Sequence, residues 1–132
     1  MSKSSASTSA TSMAKHLKWA DVPEEAMTPL LTRQYVSNQH ITIARVQLKK
    51  GCVVSRHEHH NEQITTVVQG SIILRFPDKE VRVRPGELLV IPPNLPHEAE
   101  APEDCIVVDI FSPCRQDWAE KKDDYMRGVR PH

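Results

Sequence analysis

Short β-prone runs, each stopped by proline or glycine, most restrict what this chain can fold into. From residue 41 onward, valine, isoleucine and leucine recur in brief runs that often alternate with polar residues. The residues that stop these runs include Gly51, Gly70, Pro77, Gly86, Pro92 and Pro113. Several short strands with recurring turn signals are typical of an antiparallel sandwich or a small barrel. The pattern therefore predicts an all-β fold.

Helical signals are confined to the two ends of the chain. An aspartate at position 21, followed by proline and acidic residues, predicts at most one or two turns. Residues 116–127 are charged, contain no proline and precede Gly128. This segment predicts a short C-terminal helix that ends at a glycine cap.

The length of the chain allows one domain. A chain of 132 residues can bury a sizeable core without a disulfide or a metal. We predict a single domain over residues 16–132, with its barrel over about residues 36–111. Residues 1–15 are rich in serine, threonine and alanine, and we expect a disordered, solvated tail there.

Composition argues against several classes of protein. Lysine plus arginine and aspartate plus glutamate both count 17, so the formal net charge is zero. Nucleic-acid binding needs a basic excess or stripe, so we expect no such partner. No apolar run approaches the ~20 residues of a membrane span, and we expect no membrane partner. The three cysteines are odd in number and lack CxxC spacing, which favours reduced thiols and a cytoplasmic protein.

Three histidines in the β-rich region are candidate metal ligands. His57 and His59 are two residues apart, so their side chains share one face of an extended strand. His97 follows closely spaced prolines that hold a rigid turn and fix its direction. A lone histidine is more often a surface or hydrogen-bonded residue than a ligand. Three imidazoles that meet from two strands, however, are typical of a transition-metal site.

Two spaced motifs in this region resemble those of the cupin superfamily. The first motif comprises Gly51, His57, His59, Gln63 and Gly70, and the second comprises Gly86, Pro92, Asn94 and His97. Gln63 stands where the pattern usually has glutamate, and Asn94 where it usually has glycine. The resemblance implies a small antiparallel double-sheet β-barrel (a jelly roll) with short terminal helical turns. It also implies one divalent transition metal (Ni, Zn, Mn or Fe) bound by the two histidines of the first motif, Gln63 and His97.

Glu62 is the rival of Gln63 as the fourth ligand. Glu62 as a ligand breaks the motif spacing by one residue. Gln63 instead shares a face with His57 and His59 in a regular strand. Three histidines and a glutamine are neutral, so the metal keeps its full charge. A glutamine also binds divalent metals more weakly than a carboxylate does.

Residues 109–118 add a closer resemblance, to the KdgF-type cupins of pectin degradation. An aspartate and a phenylalanine in a D-x-F pattern, and an arginine four residues later, fall on Asp109, Phe111 and Arg115. Proteins of this type convert 4,5-unsaturated monouronates into the linear keto form. The resemblance implies that Asp109 and Phe111 line the catalytic site and that Arg115 binds the substrate.

Strand alternation gives an independent interpretation of these residues. Val107, Asp109 and Phe111 share one face of a predicted strand. If that face looks into the barrel, Asp109 can act as a general acid or base, and Arg115 can bind a carboxylate through two parallel bonds. The alternative is that Asp109 points outward and that Arg115 pairs with Asp117 on the surface.

The leading hypothesis is a metal-dependent enzyme of the isomerase or lyase type that acts on a small carboxylated sugar. A second hypothesis is a cupin dioxygenase that uses Fe or Ni, although such enzymes more often retain the glutamate ligand. A third is a cupin that binds a small ligand without turnover. The resemblance also implies a homodimer, with residues 33–47 as the candidate interface.

Overall fold

The computed structural model describes residues 13–128, which form two antiparallel sheets. The tail predicted over residues 1–15 lies mostly outside the described residues, and its described part, residues 13–15, is exposed. Among the described residues no helix is long and apolar enough to cross a membrane.

Ten strands and three short helical turns follow one another along the described part of the chain. The strands are β1 (Glu25–Thr28), β2 (Leu31–Ser37), β3 (Thr42–Leu48), β4 (Val53–His57), β5 (Glu62–Gln69), β6 (Ile72–Arg75), β7 (Glu80–Val83), β8 (Leu88–Ile91), β9 (His97–Glu100) and β10 (Cys105–Ser112). The helical turns are a 3-10 helix (Trp19–Asp21), α1 (Gln116–Ala119) and a second 3-10 helix (Asp124–Arg127).

The strands form a six-stranded sheet of order β1-β2-β3-β10-β5-β8 and a four-stranded sheet of order β4-β9-β6-β7. This architecture confirms the predicted all-β fold with two antiparallel sheets. The hydrophobic core lies between the sheets and includes Leu31, Val46, Leu48, Val54, Val67, Ile72, Leu74, Val83, Ile91 and Val107.

Strand β10 lies at the centre of the six-stranded sheet, paired with β3 on one side and β5 on the other. Its β-branched residues suit a central strand, where both faces are packed or covered. Val107 and Phe111 are buried on the inner face, whereas the alternate residues lie on the outer face. The alternation predicted for this segment is therefore present, and it fixes which side chains enter the barrel.

The sheets begin earlier in the chain than residue 36, the predicted start of the barrel, because β1 and most of β2 precede it. Polar side chains conceal the alternation in β2, since Arg33 and Gln34 are adjacent and both buried. Gln34 Nε2 donates hydrogen bonds to the carbonyl oxygens of Trp19 (2.6 Å) and Val22 (2.9 Å). The N-terminal segment thus covers part of β2.

Residues 116–127, predicted as one helix, form two separate helical turns; we call this segment the C-terminal strap. Between the turns Asp123 is fully buried, and its Oδ2 lies 2.9 Å from Nη2 of Arg33. A buried cation needs an opposite charge, which Asp123 supplies. The first turn ends at Ala119, and Lys121 follows with a left-handed backbone at a φ of 60°. Gly128 has a φ of 80° and caps the second turn, as the sequence predicts.

The turns between strands depend on glycines with positive φ angles. Gly70 joins β5 to β6 with a φ of 76°, and a Cβ atom there would lie 2.3 Å from the carbonyl oxygen of Asp104. Gly86 precedes β8 with a φ of 89°, but a Cβ atom there would meet no atom within 4 Å. The two positions therefore share a left-handed backbone and differ in free space.

We expect Gly70→Ala to destabilise the protein much more than Gly86→Ala. Both substitutions place a side chain on a left-handed backbone, at a cost of about 1–2 kcal/mol. Gly70→Ala also forces neighbouring backbone to move, which adds about 1–3 kcal/mol. Urea unfolding of both variants measures the difference, and equal losses in the free energy of unfolding would contradict it.

Candidate metal centre

The structure brings the three predicted histidines together at one end of the four-stranded sheet. His57 ends β4 and is paired with His97, the first residue of β9. His59 lies beyond β4, in the loop that leads to β5, so this loop rather than strand alternation turns its ring towards the other two. One ring nitrogen of each histidine lies within 4.8 Å of the others.

The loop of His59 is held by the second motif. Asn94 has a φ of 64°, and its backbone N–H donates a hydrogen bond of 2.8 Å to the carbonyl oxygen of His59. Asparagine tolerates this left-handed conformation better than most residues do. Its substitution for the usual glycine therefore suits the tight turn predicted from the sequence.

Each of the three imidazoles is oriented by a backbone carbonyl two residues away. The Nδ1 atoms of His57 and His97 lie 2.8 Å from the carbonyl oxygens of Ser55 and Leu95. Nδ1 of His59 lies 3.1 Å from the carbonyl oxygen of Asn61. A carbonyl oxygen only accepts, so each Nδ1 carries the proton and each Nε2 carries a lone pair.

The barrel interior keeps these imidazoles neutral. Desolvation, reinforced by the neighbouring His97, lowers the pKa of His57 to about 3. Desolvation and the charge of Arg115 lower the pKa of His59 to about 4, and desolvation also lowers the pKa of His97. Three neutral imidazoles with free lone pairs are the form in which histidine binds metals.

Gln63, rather than Glu62, faces the histidines. Gln63 lies on the inner face of β5 and is only 7% exposed, whereas Glu62 is exposed at the start of that strand. Oε1 of Gln63 lies 3.1 Å from Nε2 of His59. The side chains thus occupy the faces that the motif spacing and strand alternation predict.

The donor set fits a divalent transition metal. Nε2 of His59 and Oε1 of Gln63 both carry lone pairs, and two acceptors this close repel each other unless a cation binds both. Metal–nitrogen bonds of about 2.1 Å place neighbouring ligand atoms at about 3 Å, which matches the observed 3.1 Å. Nitrogen and amide oxygen ligands suit Zn, Ni, Fe and Mn alike.

Asp109 faces the same cavity as His57 and His97. It is paired with Thr65 of β5, and Thr65 Oγ1 donates a hydrogen bond of 2.7 Å to Asp109 Oδ1. Burial raises the pKa of Asp109 to about 6, although hydrogen bonds from Thr65 and Gln63 and the charge of Arg115 oppose this shift. Asp109 therefore points inward, and the outward alternative fails.

Phe111 is buried beside the metal ligands and makes an edge contact with His59, with ring centroids 5.7 Å apart. The Arg115 guanidinium lies over the Phe111 ring at 4.6 Å and over the Trp118 ring at 4.5 Å. Phe111 carries no titratable group, so its contribution here is to pack against the ligands and the guanidinium.

Arg115 lies at the wall of the cavity but is engaged by the C-terminal strap. Its Nε and Nη2 donate to the two carboxylate oxygens of Asp117 at 2.9 and 2.7 Å. Nη2 also donates to the hydroxyl of Tyr125. The predicted pair with Asp117 thus exists, but it is not a surface pair, because Arg115 is only 2% exposed.

Two residues at this site carry no prediction from the sequence. Thr65 shares the inner face of β5 with Gln63, so strand alternation from Gln63 could have identified it. Tyr125 stacks on His57 with ring centroids 4.1 Å apart, in a segment whose sequence predicts only a helix. No local signal could have placed Tyr125, because the contact depends on the path of the C-terminal strap.

The stacked rings of Tyr125 and His57 line two spaces. An inner cavity of about 60 Å³ is lined by the site residues, among them Gln63, Asp109 and Arg115. An outer cleft of about 350 Å³ opens beside Asp117 and the His57–Asn61 loop. The inner cavity has room for a few water molecules only.

Solved structures resemble this chain over most of its length. KdgF from Halomonas sp. has a TM-score of 0.75 and 28% sequence identity, covering 80% of this chain and 99% of that chain. An RmlC-like cupin from Shewanella frigidimarina has a TM-score of 0.73 and 25% identity, covering 80% of this chain and 96% of that chain. The polyketide cyclase RemF from Streptomyces resistomycificus has a TM-score of 0.67 and 23% identity, covering 78% of this chain and 81% of that chain. At this identity the similarity to RemF supports only the assignment of the fold. No curated protein matches the chain.

The family model described as the Cupin domain matches residues 44–111, just over half of the chain. The matched residues run from β3 to β10 and include the three clustered histidines and Gln63. The chain belongs to the cupin family and resembles KdgF.

Proposed function

We propose that this cupin is a metal-dependent enzyme that converts 4,5-unsaturated uronates into their linear keto form. The observation that carries the proposal is a cavity lined by His57, His97, Gln63 and the carboxylate of Asp109, with Arg115 in its wall and His59 clustered with the other two histidines. The resemblance of the site residues to KdgF-type cupins supports the substrate class.

His57, His59, Gln63 and His97 would hold the metal. A divalent metal bound there supplies Lewis acidity to the oxygen atoms of the sugar. The protein fixes the directions of these ligands through the Nδ1 bonds to backbone carbonyls.

Linearisation of the substrate breaks the C1–O5 bond and moves one proton. The C1 hydroxyl loses its proton as C1 becomes an aldehyde, and the bonding pair moves to O5. C4 gains a proton as C5 becomes a ketone, so no oxidant, reductant or second substrate is consumed. In our proposal Asp109 receives the first proton and returns it to C4, which restores its original form.

Arg115 is proposed to bind the substrate carboxylate. Its Nη1 makes no hydrogen bond with any described residue, while Asp117 and Tyr125 occupy Nε and Nη2. A bidentate contact with the substrate therefore requires the substrate carboxylate to displace either Asp117 from Nε and Nη2 or the Tyr125 hydroxyl from Nη2. Tyr125 also lines this cavity, so a bound uronate would lie beside it.

We also propose a homodimer, in which a second copy covers the outer face of the six-stranded sheet. That face carries an outer apolar patch, formed by Ile64 (37% exposed), Val68 (57%), Leu88 (72%) and Val90 (61%). Monomers rarely expose large contiguous apolar patches. The patch has no charge of its own, so it can pack against its own copy about a two-fold axis.

The contact segment predicted from the sequence, residues 33–47, combines buried positions with an exposed stretch over residues 37–41. Arg33 points inward, and the N-terminal segment covers Gln34. Residues 33–47 nevertheless belong to strands β2 and β3 of the same six-stranded sheet as the patch.

Gln63→Ala should lower the affinity for Ni²⁺ or Zn²⁺ by at least about tenfold, because it removes a ligand atom. Glu62→Ala, a matched change at the exposed neighbouring position, should leave the affinity unchanged. Equilibrium dialysis followed by elemental analysis measures both. Equal metal retention, or loss with Glu62→Ala alone, would overturn the assignment of Gln63.

The metal-loaded protein should accelerate the loss of the conjugated C=C absorbance of a 4,5-unsaturated galacturonate. Asp109→Asn should abolish this activity, because an amide cannot carry the proton, while an amide oxygen can still accept from Thr65 and preserve metal binding. Arg115→Lys keeps the charge but loses the planar fork. We expect this variant to raise KM by about tenfold or more, with a smaller change in kcat.

Wild-type activity at the uncatalysed rate, or full activity of Asp109→Asn, would refute the uronate proposal. Metal-dependent oxygen consumption would then identify a dioxygenase, and binding of uronate without turnover would identify a binding protein. Elemental analysis and thermal unfolding of each variant exclude loss of metal or of structure as the cause.

Light scattering should give twice the monomer mass for the wild type. The double substitution Leu88→Lys and Val90→Lys should shift it to the monomer, because it buries like charges against each other in the proposed interface. A monomeric wild type, or a doubly substituted protein that stays dimeric, would exclude this interface.

A further inference from the structure

A directed chain of hydrogen bonds runs from Asp109 to the proposed metal ligand Gln63. Thr65 Oγ1 donates to Asp109 Oδ1 at 2.7 Å, and Gln63 Nε2 donates to Thr65 Oγ1 at 2.9 Å. Asp109 and Thr65 are register partners on β10 and β5, and Gln63 is the next inward residue along β5. The pairing of the two strands therefore holds all three side chains in one row.

The chemistry of the groups sets the direction of this chain. A carboxylate only accepts hydrogen bonds, so Asp109 takes the single hydroxyl hydrogen of Thr65. The Thr65 oxygen is then left as an acceptor, which an amide N–H of Gln63 satisfies. Because the NH₂ group faces Thr65, the carbonyl oxygen of Gln63 must face His59.

Nothing at the histidine end would enforce this orientation in the metal-free protein. Nε2 of His59 carries a lone pair, so the reversed amide would offer it a favourable N–H donor in place of a second acceptor. Oε1 of Gln63 lies 3.1 Å from Nε2 of His59, which carries no proton in the tautomer set by the Asn61 carbonyl, so this contact supplies no donor. The orientation that suits a metal is thus held from the opposite side, by Thr65 and Asp109.

We propose that Thr65 is a positioning residue that directs the carbonyl oxygen of Gln63 towards the metal. Asp109 sets this role, because it accepts the Thr65 hydroxyl hydrogen and so leaves the Thr65 oxygen as an acceptor for the Gln63 amide. The inference rests on the proposed metal site and extends it. It also gives a reason for glutamine at position 63, where the family pattern has glutamate. Glutamate there would leave two carboxylates competing for the one hydroxyl hydrogen of Thr65. The amide of Gln63 instead donates a hydrogen bond to Thr65 and keeps its carbonyl oxygen for the metal.

The test is titration of the metal-free protein with Co²⁺, followed by its visible absorption and by competition with a chelator. Thr65→Val keeps the shape of the side chain and removes the hydroxyl, so we expect about 10- to 100-fold weaker Co²⁺ binding and an altered spectrum. Thr65→Ser keeps the hydroxyl and should stay within about threefold of the wild type. Thr66→Val is the matched control.

Thr66 lies next to Thr65 on the same strand, and its hydroxyl donates a hydrogen bond of 3.0 Å to the carbonyl oxygen of Val108. Thr66→Val removes this hydrogen bond, which is not part of the Asp109–Thr65–Gln63 series. The affinity for Co²⁺ and the absorption spectrum should therefore not change. Thr65→Val with wild-type affinity and spectrum would overturn the inference. Thr65→Ser or Thr66→Val as weak as Thr65→Val would overturn it as well, since the loss would then be structural.

A second pair of variants tests the same chain if Thr65→Val does not fold. Asp109→Asn and Asp109→Leu both remove the charge, but only the asparagine keeps an oxygen that accepts from Thr65. We expect Asp109→Asn to bind Co²⁺ more tightly than Asp109→Leu. Equal affinities would contradict a role for the acceptor.

Failure of the proposed metal site gives a different result. If the wild type does not bind Co²⁺, or if Gln63→Ala binds it as tightly as the wild type, the proposed ligand set is wrong and the inference falls with it. If Gln63→Ala weakens binding and Thr65→Val does not, the ligand set stands and only the positioning role is wrong.

Discussion

Burial of polar groups inside an apolar barrel is the constraint on which this structure depends. Each buried donor or acceptor without a partner costs free energy, so such groups are normally paired. Inside this barrel the imidazole Nδ1 atoms have carbonyl partners, and Arg115 and Asp109 have Asp117 and Thr65. The lone pairs of the three Nε2 atoms and of the Gln63 carbonyl remain. The fold therefore brings these lone pairs together, and they are the donor set of the candidate metal centre.

Local sequence patterns predicted the features that depend on neighbours along the chain. Strand alternation separated Gln63 from Glu62 and grouped Asp109 with Val107 and Phe111 on one face of β10, and that face looks into the barrel. Turn residues predicted the short strands, because proline and positive-φ glycine positions act within a few residues. The paired motifs predicted the histidine cluster, since their spacing places His57 and His97 on adjacent strands.

Features that depend on distant partners could not be predicted in this way. The sequence does not single out Arg33, but Asp123 and Glu25 bind it in the folded chain. Its ion pair with Asp123 lies between the two turns of the predicted C-terminal helix, and only the folded chain brings the two charges together. Arg115 was expected to face either a substrate or the surface, whereas it is buried against aromatic rings with Asp117 as its partner. Each of these differences between expectation and structure has one of two causes. Either residues far apart in the chain come into contact, or a side chain is buried although no local sequence pattern predicts its burial.

The ion pair between Arg33 and Asp123 has a consequence for the wall of the candidate site. It anchors the C-terminal strap, whose Tyr125 stacks on His57 two residues away from that anchor. Complete release of the strap would leave Arg33 without Asp123, and breaking a buried ion pair costs about 3–5 kcal/mol. The wall that Tyr125 adds to the cavity is therefore stabilised by an arginine that does not itself line that cavity.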